Sequence, residues 1–344
     1  MDKRVIFAVA GSGKTTYILD QLSLKKRSLV ITYTNNNLMN LCTGILKKFG
    51  YLPENIRLQT YFTFLYTFCY RPLLSLEFKT KGINYERNPN QLVRQTRKEY
   101  FFDKHRKIYS NRIAKFLEVR GVLDEVNLRI SKYFDNLFID EIQDFAGHDF
   151  NFLKSIAKTD IEMTFVGDFY QHTFDTSRDG SVNKSLHNDY TRYKACFADM
   201  GFDVDVKSLE RSYRCSPTIC EFITKNIGIE IYSHRNDETK VCLVETQEQA
   251  DKIFYDRSIV KLFYQEHYRY ECYSNNWAKC KGENKYNDVC IVLNSTTLNS
   301  FKEELYKLSP QTKNKLYVAC TRSRNDLYFV PCGFYEKYKS GSNP

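Results

Sequence analysis

Ala8-Val9-Ala10-Gly11-Ser12-Gly13-Lys14-Thr15-Thr16 stands directly behind the apolar run Val5-Ile6-Phe7. The run is β-branched and aromatic and stops at a glycine-rich turn, so it reads as a buried strand. Thr15 to Leu24 reads as the helix that follows. Strand, glycine loop and helix N-terminus together place a row of backbone N–H groups around one anionic site. Gly11 and Gly13 let the backbone come close to phosphates. Lys14 reaches the β- and γ-phosphates, and the Thr15 hydroxyl takes a Mg²⁺ position. Ala10, Ser12 and Thr16 complete the lining. Ala8 stands where the general phosphate-loop pattern has its first glycine. The loop is therefore expected to bind a nucleoside triphosphate, ATP, with Mg²⁺.

A chain of 344 residues has room for about two domains, each with its own core. Eleven cysteines include no C-x-x-C pair, and Cys272, Cys280 and Cys290 lack zinc-type spacing, so reduced thiols are expected. The strand of the phosphate loop begins almost at the first residue, which leaves no room for a signal peptide. No apolar run is long enough to cross a bilayer. The expected location is intracellular, in the cytoplasm, with no membrane partner.

Ser28 to Tyr33 reads as a second buried strand, ending in the polar loop Thr34-Asn35-Asn36-Asn37, which caps a helix from Leu38 to Phe49. Ile56 to Tyr61 reads as a third strand. Strands alternating with helices predict an α/β fold with mostly parallel sheets flanked by helices and ligands at the carboxyl ends of the strands. Residues 71–132 change character: 15 Lys/Arg face 7 Asp/Glu, so this segment holds +8 of the net charge of +10. Gln91–Phe102 and Lys104–Val119 have helical texture, with Tyr100, Phe101, Phe102 and Tyr109 interleaved. A charged helical face is ordinarily solvated surface, and the same pattern also suits nucleic acid.

Tyr133 to Phe138 begins a strand that ends in Ile139-Asp140-Glu141-Ile142-Gln143-Asp144. Such an acidic pair is ordinarily a solvated turn. Behind an apolar strand and downstream of Lys14, it suits Mg²⁺ and water chemistry, with Asp140 on the metal and Glu141 deprotonating the water. Met163 to Val166 is another strand, delivering Gly167-Asp168-Phe169-Tyr170-Gln171. Gln171 can hydrogen-bond both a γ-phosphate and a water, as a sensor of hydrolysis does, or it can be a polar turn residue.

In this order the blocks resemble superfamily 1 helicases of the UvrD/Rep-like branch, in which alanine at the position of Ala8 is ordinary. Thr32-Tyr33-Thr34-Asn35 and Thr60-Tyr61-Phe62-Thr63-Phe64 match the two segments that line single-stranded DNA, Asp140 to Asp144 matches the Asp-Glu-x-Gln-Asp form of the second motif, and Gly167-Asp168-x-x-Gln171 matches the third. Val206 to Cys215 resembles the fourth motif, which implies that Tyr213 stacks on the base and Arg214 contacts the γ-phosphate. Lys279 to Glu283 resembles the fifth, implying Gly282 and Glu283 at the nucleotide. Leu316 to Arg324 resembles the sixth, with Arg322 as arginine finger.

The resemblance implies two RecA-like P-loop NTPase domains, residues 1–203 with a helical basic insertion at 71–132 and residues 204–335, followed by a flexible tail at 336–344. It implies a DNA-dependent ATP hydrolase that translocates 3′→5′ on single-stranded DNA. Thr34, Asn35, Tyr61, Phe62 and Phe174 would lie along the strand. The alternative is a nucleotide- or DNA-sensing regulatory subunit of a nuclease-containing, anti-phage defence complex.

The chain departs from the family pattern in four places. No adenine-reading glutamine segment precedes Ala8, and only 66 residues separate Arg214 from Lys281. Ala278 stands where the fifth motif has histidine. Asp175-Thr176-Ser177-Arg178 replaces the aromatic and arginine that follow the third.

Overall fold

The computed structural model describes residues 2–90, 92–173, 181–283, 285–302 and 304–340. The chain divides into two compact units. One comprises Met1–Ile6, Thr15–Gly167 and Phe174–Asp205, and the other Phe7–Lys14, Asp168–Thr173 and Val206–Pro344.

The first unit is built on strands β1 (Lys3–Phe7), β2 (Ser28–Thr32), β3 (Ile56–Thr60), β6 (Asn136–Asp140), β7 (Glu162–Gly167) and β8 (Asp203–Asp205), ordered β3-β2-β6-β7-β1-β8. The β2–β3, β2–β6, β6–β7 and β1–β8 pairs are parallel. A parallel sheet is covered on both faces, which is why β2 (SLVIT) and β6 (NLFID) are buried at every position. Crossovers between its strands are helical. α1 (Lys14–Gln21) leads to β2, and α2 (Asn35–Phe49) to β3. Thr34 caps α2, its hydroxyl accepting from the Asn37 N–H, and Gly50 closes the helix in the left-handed region at φ 80°. The carboxyl ends of β2, β3, β6 and β7 line one edge of the sheet.

After β3 the chain runs as one continuous helical stretch from Tyr61 to Phe78. α3 (Tyr61–Phe64) passes through a π-helical turn, Leu65–Tyr70, into α4 (Arg71–Phe78), which stops at Lys79 with φ 49°. The composition boundary near residue 71 thus falls inside continuous helix. Beyond it the segment is less helical than its texture predicts. Strands β4 (Gly82–Asn84) and β5 (Lys107–Tyr109) form a two-stranded parallel ribbon. Helix is confined to α5 (Lys98–Phe101), α6 (Ile113–Val119) and α7 (Leu123–Tyr133). Asp103 is the reason: its carboxylate accepts from the backbone N–H groups of His105 and Lys107, and Arg106 turns left-handed at φ 61°. That local turn offers the backbone an alternative to helix. The interleaved aromatics face inward. Phe116 packs against Tyr70, Phe78, Phe101 and Phe102 at 4.7–6.0 Å between ring centroids. Helices α8 (Gly147–Ile156) and α9 (Tyr190–Asp199) complete the unit.

The second unit carries the short parallel pair β9 (Arg211–Ser212) and β10 (Tyr232–Ser233) and a larger sheet. That sheet contains β11 (Val241–Leu243), β12 (Val260–Phe263), β13 (Ser274–Asn276), β14 (Val289–Leu293) and β15 (Leu327–Pro331). Its order is β11-β15-β14-β12-β13, and every pair is parallel. Helices α10 (Pro217–Phe222), α11 (Gln247–Tyr255), α12 (Ser295–Lys302) and α13 (Pro310–Cys320) accompany it. Trp277 is fully buried and donates its indole N–H to the Leu262 carbonyl. This explains the tryptophan beside Ala278, which serves the core. All eleven cysteines are free thiols. Among the described residues no helix is long and apolar enough to cross a membrane, and no cluster of three His, Cys, Asp or Glu could hold a metal.

Candidate active site

The phosphate loop leaves β1 and enters α1 through two left-handed glycines, Gly11 at φ 73° and Gly13 at φ 89°. Gly11 is required for space as well: a Cβ there would lie 2.8 Å from both Arg214 Cβ and Ser212 Oγ. The loop is tied to the segment before Arg214 by backbone bonds. Val9 N–H donates to the Leu209 carbonyl, and Tyr213 N–H donates to the Gly11 carbonyl, each at 2.9 Å. Ser12 is buried and gives its hydroxyl proton to the Val9 carbonyl. Lys14 opens α1, and Thr15 and Thr16 follow in its first turn.

Ala10 N–H donates to the Tyr317 hydroxyl at 3.0 Å, and that hydroxyl donates to Asp168 Oδ2 at 3.0 Å. Gln171 donates to the same oxygen at 2.9 Å. Tyr317 is wholly buried on α13. Burial and the Asp168 carboxylate push its pKa well above the ordinary tyrosine value, so it keeps its proton and acts as donor. One side chain thus links the phosphate loop, the third-motif turn and the helix that leads to Arg322. Tyr317→Phe removes an acceptor from Ala10 and a donor from a buried carboxylate, and is expected to cost about 1–3 kcal/mol of stability. Thermal unfolding checks this, and an unchanged midpoint would mean the node carries no weight.

Arg322 is 2% exposed, donating Nε–H to the Val318 carbonyl and Nη1–H to the Glu283 carbonyl, both at 3.1 Å. Arg214 donates to the Thr321 carbonyl at 3.1 Å. Desolvation first, and then the Arg322 cation, lower the Arg214 pKa to about 9, so it still carries charge at neutral pH. Two neighbouring, desolvated guanidinium groups make a site suited to a polyanion such as a triphosphate. Gly282, left-handed at φ 85°, precedes the Glu283 carbonyl that receives Arg322. Tyr213 is 64% exposed and stacks on His234 at 4.0 Å and 13°. Its backbone bond to Gly11 holds this flat platform beside the phosphate loop.

In the first unit, Asp140 ends β6 and is 2% exposed, with Oδ1 accepting from the Glu141 N–H at 3.0 Å. Glu141 is left-handed at φ 59°, an uncommon conformation for a side-chain-bearing residue. Asn37 donates to its Oε1 at 3.3 Å, and Gln143 donates to its Oε2. β7 ends at Gly167, where a Cβ would lie 2.4 Å from Gln143 Oε1 and 2.6 Å from Ile142 Cγ2, so only glycine lets the end of β7 lie against the acidic turn. Mg²⁺ is commonly held by one or two carboxylates together with substrate phosphates, and Asp140 with the Thr15 hydroxyl fits that donor set.

Of the residues expected along a nucleic acid, Thr34 is half-buried and its hydroxyl caps α2, while Asn35 is exposed. Tyr61 is not available to a base. It is 1% exposed, its hydroxyl donates to Asp149 at 2.9 Å, and its ring packs on Phe145. The neighbouring Phe62 is half-buried and takes the surface position. Phe174 lies outside the described residues. Sequence reasoning passed over Tyr317, Asp168 and Asn37. The signal for the first two was present, as Asp168 adjoins Gly167 in the third motif and Tyr317 lies within the sixth.

The family model described as the viral superfamily 1 RNA helicase core domain matches residues 104–331 of the 344. No curated protein sequence matches. Among solved structures, an arterivirus nonstructural protein 10 helicase in complex with DNA is 14% identical, with a TM-score of 0.50, covering 95% of this chain and 60% of that one. The same arterivirus protein in a crystal structure without that description of DNA is 13% identical with a TM-score of 0.50, over 96% of this chain and 61% of that one. The PRRSV helicase is 15% identical with a TM-score of 0.47, over 99% and 56%. The chain thus spans about three-fifths of the length of these structures, and the likeness is one of fold. The superfamily 1 part of the expectation stands, and the branch matched is the viral one rather than the UvrD/Rep-like one. With 228 of its 344 residues under that family model, the chain belongs to the viral superfamily 1 RNA helicase core family.

Proposed function

We propose that the chain is a nucleoside triphosphatase stimulated by single-stranded nucleic acid, built from two RecA-like domains, that translocates along the strand. The observation that carries the reading is the buried Tyr317 node. It joins the Ala10 N–H of the phosphate loop to Asp168 and Gln171, in the unit that also holds Arg214 and Arg322. A change at the γ-phosphate felt by Gln171 has a hydrogen-bonded route through Asp168 and Tyr317 to the helix that leads to Arg322. In this reading Lys14 and the loop N–H groups hold the phosphates, Glu141 takes the proton of the attacking water, and the two arginines neutralise developing charge. Thr15 and Asp140 would hold Mg²⁺, which would supply charge neutralisation at the phosphates. Tyr213, largely exposed and with one face stacked on His234, offers its other face to a base, with ATP as the expected substrate.

The family match favours RNA as the strand, and the UvrD/Rep resemblance favours DNA with 3′→5′ stepping. Steady-state ATP hydrolysis with and without single-stranded RNA or DNA tests the reading, and tailed duplexes read direction. Strong stimulation by either strand is expected. Hydrolysis indifferent to both would sink the motor reading and favour a regulatory subunit acting through a partner such as a nuclease.

A further inference from the structure

We infer that the basic segment between β4 and α6 continues the single-strand-binding surface of the first unit, with Tyr85 as its stacking residue. The inference rests on the reading of the chain as a nucleic-acid-dependent enzyme and adds a site to it. Thr32 and Thr60 are register partners on β2 and β3, so Tyr33 and Phe62 follow at the same carboxyl edge of the sheet. Their rings meet edge to face, 5.7 Å between centroids and 63° between planes. Phe62 in turn meets Tyr85 at 6.1 Å and 78°. Three rings therefore run from the sheet edge into the inserted segment.

Tyr85 differs from the other aromatics of that segment. Tyr100, Phe101 and Tyr109 are at most 5% exposed and form its core, whereas Tyr85 is 66% exposed. The backbone on either side of it is tied down. Asn84 Oδ1 accepts from the Glu86 N–H, and Asn84 Nδ2 donates to Asp103, both at 2.9 Å. A largely exposed ring that continues from two others offers a face on which a base can stack.

Charge supplies the second observation. Between Lys79 and Lys107 stand nine exposed lysines and arginines and three acids, and among the described residues none of the nine forms a salt bridge. The acid Asp103 already serves the N–H groups of His105 and Lys107 and the Asn84 amide, which hold its carboxyl below the usual carboxylate range. A surface of unpaired cations beside a file of rings fits phosphates with unstacked bases, the chemistry of a single strand. A duplex hides its base faces, and an acidic protein has no use for the file of rings.

Fluorescence anisotropy with labelled single-stranded oligouridylate and oligothymidylate tests the proposal, and the tighter of the two names the strand. Tyr85→Ala is expected to weaken binding about tenfold, within the range of one lost stacking contact, and Tyr85→Phe to retain it. The triple variant Arg94→Glu, Arg97→Glu, Lys98→Glu is expected to flatten the slope of log affinity against log salt by about 2. If Phe62→Ala weakens binding while Tyr85→Ala and the triple variant match the wild type in affinity and slope, the segment serves another partner and this proposal falls alone. If the wild type binds neither oligonucleotide, the motor reading falls and takes the proposal with it.

Discussion

Glu141→Gln is expected to lower nucleic-acid-stimulated hydrolysis by about 10²–10⁴-fold, the usual contribution of a general base. Nucleotide binding should survive, because the substitution keeps the shape and the left-handed backbone of the acidic turn. Both carboxylate oxygens of Glu141 accept hydrogen bonds, from Asn37 and from Gln143. An amide offers one acceptor in place of two, so one of those neighbours must turn or lose its bond, a disturbance of about 1 kcal/mol. That cost is small beside the loss of basicity. Binding of a fluorescent ATP analogue, measured alongside steady-state turnover, separates the two effects. Turnover within a few-fold of wild type would remove Glu141 from the chemistry.

Arg322→Ala is expected to reduce stimulated hydrolysis by about 10³–10⁵-fold, the scale of an arginine that neutralises transition-state charge. The residue is buried and fills the Val318 and Glu283 carbonyls, so alanine also leaves two acceptors without their donor. Arg322→Lys is the variant that discriminates. It retains a charge on a long stem, but an ammonium cannot reproduce the guanidinium fork. A folded lysine variant, shown by thermal unfolding, with severely reduced turnover supports the assignment. A lysine variant at wild-type rate would assign Arg322 a structural role instead.

The parallel strands and the phosphate loop were legible because each combines a short apolar run with a turn whose glycines have one purpose. Gly167 belongs to the same class: it ends a strand, and the structure shows the contact that excludes a side chain. The inserted segment was less legible for a physical reason. Its helical texture came from apolar positions three and four apart, yet the Asp103 carboxylate takes the backbone N–H groups of His105 and Lys107, so the second run becomes α-helix only from Ile113. The same spacing cannot tell a ring turned inward from one turned outward, so Tyr100, Phe101 and Tyr109 read as a surface while Tyr85 went unmarked. Tyr61 and Phe62 show the limit at its smallest scale. Adjacent aromatics in one motif divide between core and surface, and only the Asp149 partner of Tyr61 decides which is which. Tyr317 was hidden by its setting, since a tyrosine in an apolar helix reads as packing until its hydroxyl is followed to Ala10 and Asp168.

The strand order of the first sheet bears on how the protein is made. β1 is made before the other strands of this sheet, yet its neighbours are β7 and β8, which begin at Glu162 and Asp203. β2 and β3 can pair as soon as they emerge, and β6 can join them, while β1 waits. At ordinary elongation rates that wait lasts on the order of 10–30 s. The strand that leads into the phosphate loop is therefore made before β2, β3 and β6 and is paired after them.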